Sequence, residues 1–435
     1  MAKLLLTFIV VSVSFLSCNS ATKKSSDGAV GANALTPAFS LPLYPQQLQV
    51  PPQFQSKRFA EPHTLYLPKG FTISVFATGI TGARFLCWSP DSTLYACARD
   101  AGTIVALPDH DHDGIADSVI TVVTGMNDGH SCAFYRDTLY VAQTDRVTKM
   151  LGSPGSRVIQ SKHDIITGIP SGKGHSTRTI LFDATNRKMY LSVGSSCNIC
   201  NDPPDRACIL RFNDDGTGEE VFASGLRNSV GMDFNPITHQ LWANNNGFDN
   251  DGNDLPPEAI NIIQQGKFYG WPLAYGNAQF NTEYYTLIGP MSHADTLKVL
   301  GMTPPIAQVQ AHSAPLGFYF YTGNELPKAF KNQALMCYHG SWNRSPATGY
   351  KVVLLTGNPD GTNMRVADFL TGFMTDSIPA ANCWGRPVGV TADARGNIYI
   401  SDDKAGAIYR IHYTALAGKP TENPAGKPAE NKEKK

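Results

Sequence analysis

Apolar and aromatic residues recur along this chain as adjacent pairs: Leu94-Tyr95, Leu139-Tyr140, Met189-Tyr190, Leu241-Trp242 and Ile398-Tyr399, with a more divergent copy at Leu335-Met336. The steps stand about 45, 50, 52, 94 and 63 residues apart. Most are followed by small or alternating residues and then by a second short strand pattern, at 103–106, 208–212, 351–355 and 407–411. A period of this length holds four short strands, and six such units predict an all-β, six-bladed β-propeller. A β-sandwich needs fewer strands, and a parallel α/β sheet needs amphipathic helices between strands, whereas only 257–265 reads as helical. The long spacing is expected to hold an insertion over roughly 251–303.

The repeats carry a second regularity. About 9–23 residues before each step, at the predicted start of the innermost strand, stands a cationic or cationisable residue: Arg84, His130, His175, Arg227 (followed by Asn228), His312 and Arg386. Three of them share a context, in Gly129-His130-Ser131, Gly174-His175-Ser176 and Ala311-His312-Ser313. Innermost strands line a propeller's central channel, so these side chains are expected to meet at one mouth. One histidine alone reads as a hydrogen-bonded structural residue; six residues in phase with six repeats read as a site. Clustered cations with low-dielectric walls attract an anion, and the arginine fork suits carboxylates. Histidine adds a base that titrates near neutral pH. A carboxylate-rich ligand and a proton-abstraction step follow. The sequence has no Gly-rich phosphate loop after a strand and no Gly-x-Ser-x-Gly elbow, which argues against nucleotide and serine-hydrolase chemistry.

Composition adds limits. Hydrophobic residues make up 42% and aromatics 10%, enough for a packed core, and 36 basic against 36 acidic residues give no basic stripe for nucleic acid. At the start, Lys3 precedes an apolar stretch over 4–16, then Ser17 and Cys18. This reads as a signal peptide over 1–17, too short to span a bilayer, with Cys18 the lipidated residue of a bacterial lipoprotein. Residues 18–60 are then the lipidated cysteine and a flexible linker, 61–414 the propeller and 415–435 a disordered tail rich in Lys, Pro and Glu. The expected setting is periplasmic or cell-surface, with the membrane reached through the lipid alone.

Eight cysteines follow Cys18, an even count that suggests disulfides in an oxidising compartment. Cys87 and Cys97 are placed to face each other across a hairpin. Cys197-x-x-Cys200 has no following histidine for covalent haem and no second pair for zinc, and reads as a loop staple. Asp109, Asp111 and Asp113, followed by Gly114 and Asp117, alternate oxygen ligands as Ca²⁺ loops do, although Asp117 comes too early for an EF-hand. The run from Asp249 to Asp254 is similar and reads as a metal loop or a loop cap.

The runs Leu67-Pro-Lys-Gly-Phe-Thr-Ile-Ser-Val-Phe-Ala, Gly225-Leu-Arg-Asn, Tyr269-Gly-Trp-Pro, His339-Gly-Ser-Trp-Asn-Arg, Gly385-Arg-Pro, Ser401-Asp-Asp and Ile408-Tyr-Arg-Ile resemble the glucose/sorbosone dehydrogenases, in order over about 65–413. The resemblance implies a six-bladed propeller holding pyrroloquinoline quinone (PQQ) and Ca²⁺. It also implies oxidation of an aldose or related sugar by hydride transfer to the quinone, with electrons passed to an external acceptor. On that resemblance His175 is the general base, Arg227 and Asn228 meet the quinone's polar edge, Arg386 binds its carboxylates and Arg344 is the basic residue of the preceding blade. Arg84, His130 and His312 complete the cofactor-facing ring. The cofactor's Ca²⁺ is expected on backbone carbonyls around Gly247 and Phe248. Two positions depart from the pattern: Gly194-Ser195 stands where the aldose enzymes have a carboxylate that orients the base, and Arg84 replaces an uncharged residue. The sorbosone and pyranose branches are nearer than the glucose branch. Two rivals are a calcium-dependent lactonase or esterase, which expects acidic ligands at the mouth, and a non-catalytic propeller that binds a glycan or a protein.

Overall fold

The computed structural model describes residues 34–152 and 159–415. The expected signal peptide, Cys18 and nearly all of the expected C-terminal tail lie outside the described residues. Six sheets of four or five strands, antiparallel except where Lys267–Phe268 adds a parallel fifth strand to blade three, make a six-bladed β-propeller. Their innermost strands are Ala83–Trp88, Ser131–Tyr135, Arg178–Asp183, Met232–Phe234, Pro315–Phe320 and Pro387–Ala392, each packed beside the next so that the sixth meets the first. The sixth blade takes its outer strand, Phe71–Thr78, from the N-terminal side of the chain, paired antiparallel with Ala407–Tyr413. This joins the two ends of the propeller's sequence in one sheet.

The packing explains the repeated step. Each blade is covered on both faces, so the second strand, Leu94–Ala98 in blade one, is buried at every position. Successive side chains on a strand point to opposite faces, so Leu94 joins the cluster against blade six while Tyr95 joins the cluster against blade two. Leu139 and Tyr140, Met189 and Tyr190, Leu241 and Trp242, and Ile398 and Tyr399 divide in the same way between the clusters on either side of their blades. The divergent copy is displaced by one residue. In blade five Ala334 faces blade four and Leu335 faces blade six, so the equivalent pair is Ala334-Leu335. Each fully buried Leu or Tyr contributes on the order of 2 kcal/mol.

Three expectations need correction. Residues 257–265 are not helical: Glu258–Ile263 is the third strand of blade four, paired with Leu241–Asn245. Its run of Ile and Asn satisfies a period of two as well as a helical one, and the neighbouring strand decides. The insertion therefore lies between that strand and Ala307–Val309, and it holds the two described α-helices, Thr282–Leu287 and His293–Leu300. Asn281 caps the first and a Ser292/Asp295 capping box starts the second. The segment read as a flexible linker to residue 60 is ordered from Ala34 onward. Leu43–Gln47 pairs with Thr64–Pro68, and bridges Ala38 to Val366, Tyr66 to Thr371 and Gln49 to Ser74 lay this arm on the outer edges of blades five and six. Covering an open sheet edge is a general device against unwanted strand pairing.

Candidate active site

The predicted cations stand where the repeat placed them. Arg84 is the second residue of its inner strand, His130 and Arg386 immediately precede theirs, and His175, Arg227 and His312 lie in the turns leading into the other three. Hydrogen bonds and ion pairs join all of them but His175 into two groups at one end of the propeller. In the first, Arg84 Nε donates to His130 Nδ1 at 3.2 Å and its Nη1 meets Asp403 at 2.8 Å. Asp403 also takes His339 Nε2 at 2.9 Å, and Arg386 Nε donates to the His339 carbonyl at 3.1 Å. In the second, Arg227 donates to Asp249 at 3.0 Å and to the Gly247 carbonyl at 2.5 Å, while His312 Nδ1 lies 4.0 Å from Asp249. The Arg84 and Arg227 side chains are both only 5% exposed, so each pairing offsets the cost of a buried charge.

His175 has a built seat. Gly174 has φ +69, and a Cβ there would lie 2.4 Å from the Ser195 carbonyl oxygen. A Cβ on Gly194 would meet His175 Cβ at 2.6 Å. His175 Nδ1 lies 3.0 Å from both the carbonyl and the hydroxyl oxygen of Ser195, and that hydroxyl donates to the Cys197 carbonyl at 2.7 Å. A carbonyl can only accept, so Nδ1 carries the proton and Nε2 presents its lone pair. Burial first, then the Arg227 charge, pulls the imidazole down to about 4, so it is neutral at working pH. Burial and the Arg84 charge likewise hold His130 neutral, and His339 is lowered to about 4 by burial despite Asp403. Burial works against the Asp403 carboxylate, yet its bond to His339 and the Arg84 charge hold it down at about 2.

The Cys197–Cys200 pair is a disulfide, as the loop-staple reading expects. Its loop presents Asn198, whose carbonyl accepts from Arg227 Nε at 3.1 Å and whose side-chain oxygen accepts from Arg227 Nη2 at 2.9 Å. Asn228 donates its backbone N–H to Asn245 Oδ1 at 3.0 Å, and its own Oδ1 would lie 2.7 Å from a Cβ on Gly194, beside the His175 seat. Gly247 and Phe248 are in the turn facing Arg227, and Glu258 accepts the Gly247 N–H at 2.7 Å. Arg344 stands apart from the inner-strand ring, paired with Asp254 at 2.7 Å and bonded to the Asn253 carbonyl.

The acidic loop is elsewhere. Strand Thr103–Leu107 runs away from the Arg84 end, so the loop after it lies at the opposite end of the propeller. Carboxylate oxygens of Asp109, Asp111 and Asp113 lie within 4.8 Å of one another. Asp117 is not in that group and accepts the His110 N–H at 2.9 Å. The hairpin pairing of Cys87 with Cys97 also needs correction: Cys87 Sγ lies 3.0 Å from Cys132 Sγ of blade two, and all three are free thiols. Across the hairpin Cys87 is opposite Tyr95, and its side chain turns to the neighbouring blade instead.

Asp403, His339, Glu258 and Asn198 were not among the expected site residues, and Asp249, expected only as part of a metal loop or a loop cap, pairs with Arg227. Asp402 and Asp403 both belong to the Ser401-Asp-Asp run. Buried Asp402 accepts the Arg386 N–H at 2.9 Å, so one acid fixes the Arg386 backbone and the next pairs with Arg84.

The donor set suits a polyanion with a hard cation. Three arginines stand at or just before the starts of inner strands at this end, and Arg386 spends its side-chain bonds on carbonyls rather than on a carboxylate. His130 Nε2 is a buried donor without a partner, and Asn246 Oδ1, beside the Gly247 turn, is a buried oxygen without one. Asn246 Oδ1, the Gly247 carbonyl and the Asp249 carboxylate are oxygens of one turn, the ligand type Ca²⁺ takes.

A family model described as TrAA12-like matches residues 65–414. An uncharacterized protein of Borreliella burgdorferi is 30% identical over 366 residues, 81% of this chain and 92% of its own length. A pyrroloquinoline quinone-dependent sugar dehydrogenase of Hypocrea jecorina is 25% identical over 405 residues, 80% of this chain and 89% of its own. Among solved structures, the holo form of the pyranose dehydrogenase PQQ domain of Coprinopsis cinerea superposes with a TM-score of 0.67 at 21% identity, over 80% of this chain and 97% of that one, a likeness of fold.

Proposed function

From the premise that this chain belongs to the TrAA12-like family, we propose that it is a PQQ- and Ca²⁺-dependent dehydrogenase of an aldose or related sugar. When bound, the quinone is the hydride acceptor for the sugar and the source of electrons for an external acceptor. Arg84, Arg227 and Arg386, with His130 and His312, are the residues that would hold its carboxylates. The turn at Asn246, Gly247 and Phe248, with Asp249 beside it, would hold the cation. His175 Nε2 takes the proton of the sugar hydroxyl as hydride leaves the same carbon. The observation that carries this reading is the seat of His175: Nδ1 is committed to Ser195, so the ring is fixed in one tautomer with its basic nitrogen free.

Ser195 also sets the strength of that base. Unlike a carboxylate it does not compensate imidazolium, and the nearby Arg227 disfavours it further. The basic form is therefore fully populated at neutral pH, with less driving force for taking the proton. The calcium-dependent hydrolase reading is less well supported, because the starts of the inner strands carry Arg and His rather than the acidic ligands it expects. Export and lipid anchoring belong to the same proposal, supported by the Lys3 to Cys18 run. Dye reduction with a panel of aldoses after loading with PQQ and Ca²⁺ tests the activity. Turnover with at least one sugar is expected, and lactone hydrolysis without sugar oxidation would overturn the assignment.

A further inference from the structure

Blades one and two meet through three thiols. Cys87 lies on the inner strand of blade one, Cys97 on the second strand of that blade, and Cys132 on the inner strand of blade two. Cys132 is the middle member: its Sγ is 3.0 Å from Cys87 Sγ, and Cys97 bonds to it as well. The surroundings are apolar, formed by Tyr95, Ile104, Val123, Met126 and Leu139. Burial pushes the Cys87 and Cys97 thiols well above the ordinary thiol value, so both are protonated. The result is a central sulfur in contact with a neighbouring thiol across the blade boundary, the proximity that disulfide formation needs.

We propose that Cys87 and Cys132 form an oxidisable pair that closes to a disulfide between blades one and two, with Cys97 enclosed beside it as a thiol that stays reduced. Closure removes two protons and two electrons from the two thiols. A small disulfide such as oxidised glutathione takes them up and leaves as two glutathione thiols. Cys87 is half-buried and so is the thiol an oxidant meets first, whereas Cys97 is fully enclosed. The bond links strands whose starts carry Arg84 and His130, already 3.2 Å apart, so oxidation locks the spacing of two ring residues. It closes a loop of about 45 residues, which for a domain of this size raises the melting temperature by roughly 5 °C.

The test incubates the folded full chain with oxidised glutathione and maps its peptides without reduction. The expected result is a linked Cys87–Cys132 peptide, two fewer alkylatable thiols and a higher melting temperature. Cys97→Ala should keep the link and Cys132→Ser should abolish it. The wild-type map alone decides the matter if either variant does not fold. An unchanged thiol count, a glutathione adduct that persists on Cys87, or a Cys97–Cys132 link in its place would each overturn the proposal.

Discussion

Glu258 is one carboxylate holding two turns of the site together. Its Oε2 accepts the Gly247 N–H at 2.7 Å and its Oε1 accepts the Ala314 N–H at 3.0 Å, linking the Gly247–Asp249 turn of blade four to the turn after His312 in blade five. The side chain is 3% exposed, and burial pushes the group from 4.5 to about 7 although both backbone bonds oppose the rise. Glu258→Gln keeps one acceptor oxygen and sets an amide NH₂ against the other N–H. An orphaned buried donor costs about 1–3 kcal/mol. The pH dependence separates this from a general packing loss. A carboxyl whose folded value is raised contributes most to stability below its unfolded value, and that contribution fades as pH rises from 4.5 toward about 7. The fade amounts to roughly 3 kcal/mol. In guanidinium unfolding followed by tryptophan fluorescence, the variant is therefore expected to be weaker by about 1–3 kcal/mol at pH 5, with the gap closing or reversing by pH 8. A gap that stays constant between those pH values would refute the reasoning.

Four further outcomes follow from the same geometry. His175→Gln is expected to cut turnover by about 10²–10⁴-fold in steady-state dye reduction while leaving the fold intact by circular dichroism. In the protein without its cofactor, the His175 imidazole should titrate near 4 by NMR, and Arg227→Ala should move it upward, because a neighbouring cation that disfavours imidazolium is gone. Asp403→Asn leaves Arg84 buried without its counter-charge and is expected to lower unfolding stability by about 3–5 kcal/mol. Because Asp403 is held near 2, the stability it supplies should persist at neutral pH and be lost only as pH falls from about 4 toward 2, measured as the difference between wild type and Asp403→Asn.

The blade count was legible because each second strand is sandwiched between two neighbours, which forces apolar side chains into adjacent positions, the second of them aromatic in every blade but the fifth. The phase of the cations was legible for a related reason, since each repeat places the same strand start at the channel mouth. Other features depend on contacts distant in sequence, which a local pattern does not carry. Asp403 reaches Arg84 from the other end of the chain, and Asp249 reads as a loop acid until Arg227 is beside it. Glu258 begins a run that fits helix and strand equally well. Cys87 chose a partner on the next blade because strand pairing placed Tyr95, not Cys97, opposite it. The helices in the insertion had a readable signal in Ser292 and Asp295, a capping pair before an apolar run.

The most direct test of the central claim is an absorbance titration of the protein with PQQ in the presence of Ca²⁺, run in parallel on wild type, His175→Ala and an Arg227→Ala/Arg386→Ala double variant, each then assayed with aldoses. The account predicts quinone uptake by wild type and His175→Ala, turnover by wild type alone, and loss of uptake in the double variant. Uptake undiminished in the double variant, or sugar oxidation surviving in His175→Ala, would contradict it.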